Sequence, residues 1–241
     1  MNKSIERLCA HSILVCAVFL ALGVFVVAGW LPPVAPSMEA QSIAALFEAH
    51  RFRIQVGMTM FGFSGMFYWS FAAAIATQMN RIEGPHHPLT RLQLLASNGT
   101  ALAIMALAFL GLAMAYRPHI EPTTLQLAND VLWLVFVGLY PPGVMQNLAI
   151  GLCILSDKTE GEARVYPRWV GFVNLWVAAS FAPGLYIAFF KSGPFAWNGL
   201  LGFWPVAVGF FVWAMVMWWT TVQAIRRAPS PAGYRQGVRD S

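Results

Sequence analysis

Hydrophobic positions fall along this chain in six long blocks, and polar positions gather between them. The blocks cover approximately residues 11–31, 53–78, 92–116, 131–155, 169–190 and 197–225. A helix needs about 20 mostly apolar residues to cross a bilayer, and each block meets that length. The pattern predicts an all-α, polytopic membrane protein. Six transmembrane helices would form a bundle over residues 1–226, with a flexible cytoplasmic tail over 227–241. The first block is long for a signal-peptide core and has no small-residue cleavage site, so it is expected to remain as a helix.

Prolines interrupt two of the blocks. The fourth carries Pro141-Pro142-Gly143 near its middle, followed at once by Gln146-Asn147. Each proline lacks an N–H and clashes with the preceding turn, so the Val137 and Gly138 carbonyls lose their usual donors. Tyr140, Gln146 and Asn147 are the nearest replacements. The fifth block carries Pro183-Gly184. Kinked fourth and fifth helices are therefore expected. Two arrangements satisfy that pattern. Either the amides mend a simple kink, or the kinked helices line a cavity that opens toward the outside.

Composition sharpens the class. The chain is 58% hydrophobic and only 10% charged over 241 residues, against about 25% charged in a soluble domain. The net charge of +5 is spread over loops and tails and is no nucleic-acid footprint. It does orient the protein. Lys3, Arg7, Arg81, Arg91, Lys158, Arg164, Arg168, Arg226, Arg227, Arg235 and Arg239 would share one side, with Arg51, Arg53, Arg117 and Lys191 on the other. The positive-inside rule then puts both termini in the cytoplasm. Cys9, Cys16 and Cys153 have no paired spacing, so no disulfide framework or CxxC site is expected.

Polar residues inside spans usually face the bundle interior. Gln55, Thr59, Asp130, Tyr140, Gln146, Asn147 and Asn174 are accordingly the candidate lining of a ligand cavity. Gln55 and Thr59 belong to a polar-to-small stripe with Gly62 and Met66, which serves helix packing equally well. Glu48, Arg51, Arg53 and Lys191 gather at the outer end as a candidate charged rim. Glu48 and Arg51 are one turn apart and would pair. Such a rim either closes the bundle or forms a charged mouth for an anionic or amphipathic ligand. Asn98-Gly99-Thr100 is a glycosylation sequon in form, but it lies within a span, where Asn98 is expected to bond a neighbouring helix.

Several chemistries lack their residues. His11, His50, His86, His87 and His119 all lie in loops or at helix ends, so bis-histidine haem is not expected. HExxH, P-loop, GxSxG and GxGxxG motifs are missing from any fitting context. No span carries a deeply placed carboxylate of the kind a proton-driven pump uses. No metal or other cofactor is expected.

The segments YPRWVGFVNLWVAASFAPG and FFKSGPFAWNGLLGFW, with RFRIQVG, NDVLWL and AIGLCILSDK, carry a resemblance. From the second block to the sixth the chain resembles a family of bacterial multi-pass integral membrane proteins without an assigned activity. The resemblance implies placement in the bacterial inner membrane and transfers no substrate, cofactor or catalytic residue. The first function expected is a non-catalytic accessory or scaffold component that packs against a membrane-protein partner. The alternative is a small transporter or binder of a hydrophobic or amphipathic molecule. A lipid-modifying enzyme comes third. The bilayer is the common partner of all three.

Overall fold

In the computed structural model, residues 3–138 and 140–228 are described. Among them every regular element is helical. The chain runs as α1 (Lys3–Leu20), a π-helical stretch (Ala21–Val27), α2 (Ala40–Glu83), α3 (Pro88–Tyr116), α4 (Pro122–Gly138), α5 (Tyr140–Ser156), α6 (Arg168–Ser180) and α7 (Trp204–Arg227). Four stretches are long and apolar enough to cross a membrane: Lys3–Val27, Pro88–Tyr116, Pro122–Ser156 and Trp204–Arg227. The 44-residue α2 contains the second expected span. Gln55, Thr59, Ser64, Tyr68 and Ser70 dilute its hydropathy. The tail expected from residue 227 lies almost wholly outside the described residues.

The helices close into a ring. α1 packs on α2 and α7, α2 on α3, α3 on α5, α5 on α6, and α6 back on α7; α4 fills the gap between α2 and α3. Closeness is sequence-encoded at two crossings. A Cβ on Gly23 would stand 2.6 Å from the Gly57 carbonyl oxygen, so α2 and the π-helical stretch meet backbone to backbone. A Cβ on Gly151 would stand 3.1 Å from the Gly171 carbonyl oxygen, which sets the α5–α6 crossing. Small residues at such crossings let van der Waals contacts hold helices that lipid does not drive together.

Polar bonds lock the two ends. At the end that holds both described termini, Gln78 Nε2 donates to Glu6 Oε2 at 3.1 Å. Arg81 Nη1 donates to Gln78 Oε1 at 2.6 Å and to the Ala224 carbonyl at 3.0 Å. Lys3 Nζ donates to the Ala228 carbonyl, tying the first helix to the end of the last. At the far end Arg53 donates to the Val27 and Val26 carbonyls at 3.1 and 3.2 Å. Those carbonyls close the π-helical stretch and have no following turn to bond them.

Two elements depart from the pattern read along the chain. α2 extends beyond the second expected span: it begins at Ala40 behind Glu39 and bends at His50, where φ is −120° and ψ is 16°. The fifth expected span is helical only to Ser180 and then tightens into 3-10 turns at Ala182–Leu185 and Ile187–Phe189. Pro183 supplies no N–H to continue an α-helix. The resulting irregular backbone packs against α4, where a Cβ on Gly138 would stand 3.2 Å from Ile187 Cδ1. Non-helical backbone at membrane depth is tolerated where protein covers it. α6, at 13 residues and about 20 Å, is shorter than the roughly 30 Å hydrocarbon core. Leu139 lies outside the described residues, between α4 and α5. Pro141 and Pro142 follow it within the described start of α5.

Candidate functional site

The middle of the ring holds a partly open cavity of about 120 Å³. Leu20 and Phe25 enter it from α1 and the π-helical stretch, and Tyr68 from α2. α3 contributes Thr100, Ile104 and Leu107, and α4 contributes Phe136 and Val137. Gly143 and Asn147 come from α5, and Phe181 follows α6. α7 closes the wall with Phe210, Phe211 and Trp213 among others. The cavity is therefore mostly aromatic and aliphatic. Its polar atoms come from Tyr68, Thr100, Asn147 and Trp213, and no charged side chain reaches it.

Those polar atoms are individually placed. The Tyr68 hydroxyl donates to Gln146 Oε1 at 2.6 Å. That length is typical of O–H···O and shorter than N–H···O, so the carboxamide oxygen of Gln146 faces the phenol. Asn147 Nδ2 donates to the Gly143 carbonyl at 2.8 Å, one turn back on α5. Its Oδ1 is buried and has no partner. Trp213 Nε1 donates to Asn174 Oδ1 at 3.0 Å. Asn174 Nδ2 in turn donates to the Val170 carbonyl at 2.8 Å. Asn174 is thus a bolt between α6 and α7 that fixes the Trp213 ring as a wall. Phe181 sits directly over Gly143, where a Cβ would come within 2.8 Å of its ring. The two proline sites thereby flank one space.

The expected lining residues separate into groups. Asn147 lines the cavity; Gln146 and Asn174 stand one bond behind it, on Tyr68 and Trp213. Gln55 instead donates to the Ala115 carbonyl at 3.0 Å, and Thr59 returns its hydroxyl to the Gln55 carbonyl at 2.9 Å. A threonine that bonds its own preceding turn needs no polar neighbour, so Thr59 stands exposed. The side chain of Tyr140 lies outside the described residues. Asp130 lies at the far end, within Coulombic reach of Lys191. Tyr68, Thr100 and Trp213 were not among the expected lining. Tyr68 lies on the buried face of α2 with Met58, Phe61, Phe71 and Ile75, opposite the Thr59–Met66 stripe. The apolar neighbours at helical spacing were the available signal. Asn98, for its part, accepts a bond from Trp69 of α2 at 3.0 Å.

The charged rim is self-contained. Arg51 pairs with Glu48 on the same helix, and His119 Nδ1 lies 3.3 Å from Glu48 Oε1. They border a shallow depression of about 370 Å³ with Arg117 and Glu121. Arg53 is spent on the π-helical stretch instead. The Glu121 carboxyl is held down at about 2 by the Thr123 hydroxyl first, then by the Thr124 and Thr123 amides, an N-terminal cap on α4. The depression is larger than the central cavity, but water reaches it and its carboxylates already have partners. The central cavity, lined by Asn147 with its unmet Oδ1, is the better candidate site. Among the described residues no cluster of His, Cys, Asp and Glu could hold a metal ion. Comparison with known proteins brings no match: no family model, curated protein or solved structure aligns with the chain.

Proposed function

We propose that this chain is a multi-pass protein of the bacterial inner membrane that binds a small hydrophobic molecule in its central cavity. Six helical passages, α4 with α5 and α6 with its 3-10 turns each counting once, would place both termini in the cytoplasm. The Lys3 bond to Ala228 supports a shared side for the two ends, and the bias of basic residues supports the cytoplasm as that side. The observation that carries the binding reading is the cavity itself. A space of about 120 Å³ is close to the roughly 150 Å³ engineered cavity that admits benzene. The reading therefore takes a ligand about one ring in size.

Saturable uptake of toluene by the purified chain in lipid nanodiscs, above partition into empty discs, is the expected result. Ala207→Phe, which fills the cavity wall, should abolish it. Uptake with no saturable part would remove the binding reading and leave the accessory role that the composition also allows.

A further inference from the structure

The polar lining of the cavity is asymmetric. Each side-chain donor among the described lining residues is already committed: the Tyr68 hydroxyl to Gln146, Asn147 Nδ2 to Gly143, Trp213 Nε1 to Asn174, and the Thr100 hydroxyl to the Ala96 carbonyl at 3.3 Å. The amide of Asn147 cannot turn over, because that would set its oxygen against the Gly143 carbonyl. What remains is acceptor capacity. Asn147 Oδ1 is unpartnered on a side chain only 3% exposed, and the Tyr68 and Thr100 oxygens each keep lone pairs. A buried acceptor without a donor is costly, so a ligand that supplies one gains more than its apolar body alone would give. A charged donor such as an ammonium would meet no carboxylate here and would lose its hydration.

We propose that the cavity selects a neutral hydrogen-bond donor: a one-ring or similarly sized hydrophobic molecule whose hydroxyl donates to Asn147 Oδ1. The assignment rests on the cavity being a binding site, and it excludes ketones, ethers and other acceptor-only molecules of equal size as preferred ligands.

Phenol and its methyl ether anisole test it, since they differ by the donor. Titration calorimetry on the full chain in nanodiscs, corrected for partition into empty discs, should show phenol binding on the order of tenfold tighter than anisole. Asn147→Leu should remove that preference while anisole affinity stays within about twofold. Equal affinity of the wild-type chain for both overturns the donor assignment and leaves the cavity reading standing; the wild-type comparison decides this even if the variant does not fold. A preference for phenol that survives Asn147→Leu also overturns it. Binding of neither probe overturns the cavity reading and the assignment with it.

Discussion

Two layers of the bundle use the same side chains to opposite ends. At the terminal end Gln78 is fully buried and spends both ends of its carboxamide, one on Glu6 and one on Arg81, which then reaches α7. In the middle Gln146 and Asn147 are just as buried, yet each leaves one atom unmet, Nε2 and Oδ1 respectively. The first layer joins three helices, and its unmet Glu6 Oε1 does not line the central cavity. The second joins two helices through Tyr68 and borders a cavity. Burial of an amide is therefore not by itself a sign of a site. The informative feature is bonding capacity left over on a residue that also lines a cavity, because structure consumes capacity and binding requires both capacity and space.

The largest expected effect comes from breaking the terminal layer. Gln78→Leu would strand the Glu6 carboxylate and an Arg81 N–H, at a cost of about 1–3 kcal/mol. Thermal unfolding in detergent should show this as a clear loss of stability with unchanged toluene uptake. A variant as stable as the parent would mean that the terminal layer is no lock.

Gln146→Leu sharpens the contrast. It removes the acceptor of the Tyr68 hydroxyl but also an unmet N–H, so stability should move by less than about 1 kcal/mol. The freed phenol would then turn its O–H to the cavity. Anisole affinity should rise relative to phenol, the reverse of the Asn147→Leu effect. If the ratio of the two affinities does not move, Tyr68 is not a gate on what the cavity accepts.

The smallest effect belongs to the water-exposed end, where a carboxylate cap can be lost without trapping a buried charge. The Glu121 carboxyl is depressed from 4.5 to about 2. A depressed acid stabilises the fold above its unfolded value and loses that contribution as pH falls through the folded value. The loss should run from about pH 4.5 down to about pH 2 and should be missing in Glu121→Gln. Parallel melting curves of the two proteins between pH 6 and 2.5, on the order of half-unit steps, read it directly.

Much of this molecule is legible along the chain. The apolar blocks forecast an all-helical protein with membrane-crossing stretches, and among the described residues four helical stretches are long and apolar enough for that. The Glu48–Arg51 pair follows from helical spacing alone, as does the bond from α2 to Asn98 from its place inside an apolar block. These are local matters: period, length and the need of a polar group for a partner. The same logic placed Gln55 and Thr59 beside the cavity, whose lining does not include them: Thr59 satisfies itself on its own helix, and Gln55 finds a carbonyl at the end of α3 instead.

By itself, then, the sequence determined which segments must leave water, where proline would stop an α-helix, and which residues needed partners. Only the tertiary structure decided which partner each one found. Tyr68 meets Gln146 across 78 positions, and Trp213 meets Asn174 across 39. Such pairings depend on the Gly23–Gly57 and Gly151–Gly171 approaches that set helix rotation, and a rotation of a fraction of a turn would move every polar tip to another neighbour. In that arrangement the oxygen of Asn147 is left unmet, and so is the neighbouring Gln146 Nε2.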